Sequence, residues 1–109
     1  MSILETETID IVATKPGTQI VKLVITDHLP WDDLEQHYIL LQEKINTYIA
    51  FVESGQLQRL KEPPIPTDPT VVVTVVPQFE PPQPAIEFLA RVRSFLAGLG
   101  IGLEIQKSS

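Results

Sequence analysis

Eight of the ten prolines lie between Pro63 and Pro84, and in their midst stands one β-branched run, TVVVTVV, at residues 70–76. Proline fixes φ, lacks an N–H and pushes the preceding residue away from helix. Residues 61–69 (KEPPIPTDP) are therefore expected as an extended, proline-rich loop within a single domain spanning residues 1–109. The run between the prolines reads as a strand with apolar side chains on both faces. Pro77 should end its regular pairing or mark a bulge.

The flanking segments complete an α+β order, ββαβαβ. TIDIVA at 8–13 alternates, placing Ile9, Ile11 and Ala13 on one face, and Pro16-Gly17 supplies a turn. QIVKLVIT at 19–26 follows as a more buried strand, with Val21, Leu23 and Ile25 sharing a face. A long helix is expected over about 32–54 from its 3.6-residue periodicity. Asp32 with Glu35 would form its N-terminal box, Leu34, Tyr38, Leu41, Ile45, Tyr48 and Val52 its core stripe, and Gly55 its stop. A second helix begins at Pro84 and ends at Gly98 and Gly100; Ile101, Leu103 and Ile105 make a last strand. Right-handed crossovers then give a two-layer fold, a four-stranded mixed sheet in order 1-2-3-4 with both helices on one face. The second face of strand 70–76 needs a cover, either the proline-rich loop or another subunit. Self-association through that face or through the terminal edge strand is expected.

Charge and composition narrow the function. Fourteen acidic against eight scattered basic residues give a net charge of −6, which disfavours binding along a nucleic-acid backbone. No window approaches the ~18 apolar residues of a membrane span, and MSILETETIDIV lacks the features of a signal peptide. With no cysteine there is no disulfide, thiolate metal site or thiol nucleophile, as befits a cytoplasmic protein.

The one cluster of potentially reactive groups is Asp27, His28, Asp32, Asp33 and His37, beside the sole tryptophan, Trp31. Asp33 and His37 share a helix face, so with His28 they form a candidate divalent-metal set, although the spacing matches neither a helical zinc motif nor a calcium loop. The plainer reading is a capped helix start, with Trp31 packing the helix end or anchoring a partner. No serine sits on a strand-to-helix elbow, and the glycines of GLGIG at 98–102 follow a helix rather than a strand, so neither a hydrolase triad nor a phosphate loop is indicated. No catalytic residue, metal or cofactor is assigned.

Asp27-His28-Leu29, Trp31-Asp32, Gln42-Glu43-Lys44-Ile45-Asn46 and Ser54-Gly55 together resemble a family of small bacterial proteins carrying a domain of unknown function. The resemblance is strongest over residues 27–57. It implies a compact α+β domain and brings no activity, cofactor or catalytic residue. The leading expectation is a non-enzymatic binding or protein-interaction module with Asp27, His28, Trp31, Asp32, Asp33 and His37 as its ligand or partner surface. In one form it is an acidic inhibitor of a basic partner, using the five acids of residues 27–43. The alternative is a metal-dependent enzyme or metal-binding protein using His28, Asp33 and His37.

Overall fold

The computed structural model describes residues 3–106. Its elements are β1 (Ile11–Thr14), β2 (Ile20–Asp27), α1 (Leu34–Glu53), a 3-10 turn (Leu57–Arg59), β3 (Thr70–Pro77), α2 (Gln83–Ala97) and β4 (Gly102–Ile105). The sheet order is β1-β2-β3-β4, with β1 antiparallel to β2 and the other neighbours parallel. Gly17, at φ 78°, makes the first turn, where the Thr18 amide donates to the Lys15 carbonyl (3.2 Å). A positive φ is open to glycine without steric penalty.

Register decides which side chains form the core. Val21 pairs with Val71, Leu23 with Val73 and Ile25 with Val75, so these six share the face on which the helices lie. From α1 they meet Leu41, Ile45 and Tyr48; from α2, Phe88, Leu89 and Leu96. Tyr38 and Phe88 stack at 4.2 Å and link the two helices directly. In β1 the register sets Val12 opposite Leu23, so Val12 faces the core and Ile11 is left exposed.

The regular pairing of β3 ends at Pro77, as expected. Pro77 itself pairs in register with Asp27, and the next amide, Gln78, donates to the Asp27 carbonyl at 2.7 Å. Pairing with β4 has already stopped at Val75–Ile105, so the missing N–H leaves no gap in the ladder.

The second sheet face carries Ile20, Val24, Val72 and Val76, all half-buried and none within the core cluster. The linker's Leu60 and Ile65 pack against the core instead. Across the second face Lys22 reaches Glu104 (3.3 Å) from the far side of β3. The Gln106 amide (2.9 Å), and then Lys22, hold the Glu104 carboxyl below its usual range.

Candidate functional site

The region around Asp27 is built by the end of β2, the first turn of α1 and the loop after β3. Asp27 continues the inward parity of Val21, Leu23 and Ile25, which sends a carboxylate into the interior. Its Oδ1 accepts the Leu29 amide (3.2 Å), turning the chain out of the strand. Its Oδ2 lies 2.5 Å from His37 Nε2, and both side chains are buried. His37 Nδ1 faces the Pro30 carbonyl at 3.3 Å. The indole of Trp31 stacks on the imidazole (3.7 Å, 7° between planes), and its Nε1 donates to the Phe79 carbonyl at 3.0 Å.

Both His37 nitrogens therefore face acceptors, and one ring face is covered. The Asp27–His37 pair resembles the orienting half of a general-base dyad. Here, however, the second nitrogen meets the chain's own carbonyl. The arrangement is suited to locking three segments together. Because both groups are desolvated, removing either leaves the other buried without its partner.

The remaining predicted residues do not join this clasp. His28 and Asp32 are exposed. Asp33, not Asp32, caps α1, its Oδ1 accepting the Gln36 amide at 3.1 Å. Asp32…Glu35 and Asp33…Gln36 both fit a capping box; the second start places His37 one turn in, against Asp27. His28, Asp33 and His37 form no ligand set, and among the described residues no group of three His, Asp or Glu side chains is placed to hold a metal ion. Of the five acids in 27–43, Asp27 is withdrawn from the surface, which leaves Asp32, Asp33, Glu35 and Glu43 exposed.

A second buried polar cluster escaped the sequence reading. Lys44 is fully buried, and its ammonium donates to the carbonyls of Glu5 (2.6 Å) and Thr8 (2.7 Å) and pairs with Asp10 Oδ1 at 2.8 Å. Thr47 Oγ1 donates to the Thr6 carbonyl, and the Tyr48 hydroxyl donates to the Val24 carbonyl while accepting the Asp10 amide. Burial pushes the Tyr48 phenol well above its ordinary range. Together these α1 side chains fasten the segment preceding β1. The signal was present in the sequence: Lys44 falls on the same helical stripe as His37, Leu41 and Tyr48.

Beside the clasp lies a groove of about 430 Å³, bounded by Phe79, Pro81, Ile86, Leu89, Arg93 and Ile105. It sits where β3 and β4 end, the carboxyl edge of the parallel strands, where ligands of open α/β sheets are usually found. Phe79 and Ile86 are 44% and 49% exposed. Trp31, through its bond to the Phe79 carbonyl, pins one wall.

This geometry defines a small α+β domain whose polar constellation is closed on itself and whose open concave surface is apolar. Over residues 1–109 the sequence matches the model of a family described as a family of unknown function (DUF6572), and the chain belongs to that family. No curated protein and no solved structure matches the chain. Among the described residues no helix is long and apolar enough to cross a membrane.

Proposed function

We propose that the protein is a small, non-enzymatic interaction module that takes an extended apolar segment of a protein partner in the groove beside Phe79. The observation that supports this reading most is the exposure of Phe79 and Ile86 over a concave apolar surface at the carboxyl edge of the parallel strands. Concave sites lined by apolar side chains with a few polar groups are the usual form of a binding site. In this reading Asp27, Trp31 and His37 position the groove wall rather than contact the partner. Metal-dependent chemistry through His28, Asp33 and His37 has no comparable convergence behind it.

The test is a selection of random peptides displayed on phage against the wild-type chain and against Phe79→Asp/Ile86→Asp. Both positions are exposed, so the variant keeps its core. Peptides with apolar anchors should enrich on wild type and lose at least about tenfold in affinity on the variant, the loss expected of a burial-driven anchor. No enrichment, or equal binding to both proteins, would overturn the proposal.

A further inference from the structure

We infer that the outer face of the two helices is a self-association surface, occupied by a second copy of this chain and separate from the groove beside Phe79. A groove of about 380 Å³ runs between α1 and α2, with Gln42 and Asn46 on one side and Phe88, Arg91, Val92 and Phe95 on the other. Phe95 is 60% exposed, the highest value among the large apolar side chains of the described residues that stand out from the surface. Ile39, one turn before Gln42 on the same side of α1, is 42% exposed, and Leu99, just beyond α2, is 41% exposed. A surface that gathers such residues along a groove is a recognition surface more often than scattered single exposures are.

Charge selects the occupant. The single basic residue of α1, Lys44, is buried, so the exposed charges of that helix are Glu35, Glu43 and Glu53, with Asp32 and Asp33 just before it. The charge lining the groove from α2 is a cation, Arg91. A copy related by a two-fold axis sets its acidic α1 across this Arg91 and receives the reciprocal contact, as an isologous interface requires. Its Phe95 then enters the groove as the central anchor. The open sheet face is a poorer surface for this purpose, because burying it also desolvates the Lys22–Glu104 pair.

Sedimentation equilibrium on the full chain distinguishes these surfaces. The wild type should rise with concentration from 12.2 kDa toward twice that mass. Phe95→Glu should raise the dissociation constant by at least about thirtyfold, as expected for a central aromatic anchor. Arg91→Glu should weaken association, while Phe79→Asp in the other groove and Val72→Glu on the sheet face should associate as the wild type does. A wild type that stays monomeric, a Phe95→Glu that associates normally, or a Val72→Glu that dissociates would each overturn the inference. Far-ultraviolet circular dichroism on each variant separates loss of association from loss of fold. A null peptide selection leaves this result untouched, so failure of the groove reading is seen separately.

Discussion

Lys44 shows how one residue can sit at a core position without being apolar. Its ammonium is matched by two carbonyls and a carboxylate, the degree of pairing that a buried charge needs. Asp10→Ala removes the countercharge and should destabilise the protein by about 3–5 kcal/mol in urea unfolding. Lys44→Met combined with Asp10→Leu should cost much less than the sum of the single changes, because no charge is left buried without its counterion. Tyr48 makes a pH-dependent contribution. The folded state holds the phenolic proton more tightly than the unfolded chain, so this contribution is complete below about pH 10, the ordinary tyrosine value, and falls away as pH rises beyond it. Stability measured by urea titration should decline above pH 10 in the wild type, and this decline should be smaller in Tyr48→Phe.

Two candidate starts compete at the N-terminus of α1, and tertiary contact chooses between them. Asp33→Ala should lower stability by about 1 kcal/mol, whereas Asp32→Ala should leave it within error. Thermal unfolding of the two variants reads this directly. The elements themselves were largely legible in the sequence. The strands and the glycine stops follow from alternation, β-branching and turn chemistry, and the strand order from right-handed crossovers that keep both helices on one face. The facing of β1 was not. The alternation of TIDIVA favours Ile9, Ile11 and Ala13 as the inward face, and the pairing of Val12 with Leu23 reverses it, leaving Ile11 exposed. The second face of β3 illustrates a different limit. Its apolar character was visible in TVVVTVV, but the linker that could have covered it turns Leu60 and Ile65 toward the core. The candidate site was legible only in part. Asp27, Trp31 and His37 stood in the right cluster, yet their spacing carries no information on which of two histidines turns inward. Phe79 and Ile86 carried no such signal: Phe79 lies in a proline-rich loop without periodicity, and Ile86 falls off the buried stripe of α2 formed by Ala85, Phe88, Leu89 and Leu96.

At the scale of the molecule, polar groups that look reactive are directed inward and act as fasteners. The Asp27–His37 pair ties the end of β2 to α1, and Trp31 carries that connection to the loop after β3. His37→Ala should therefore lower stability by about 2–5 kcal/mol, since it strands the Asp27 carboxylate in the interior. His28→Ala should not change stability, and a chelator should leave the melting temperature of the wild type unmoved. The surfaces left for recognition are apolar: the groove beside Phe79 and the outer face of the helices. The most direct measurement is amide chemical-shift mapping on the full chain with a peptide obtained by selection. Shifts should gather at Gln78, Phe79, Ile86 and Ile105, with the Trp31 indole N–H responding through its bond to Phe79. Shifts centred instead on His28, Asp32 and Asp33, with the Phe79 region unmoved, would contradict it.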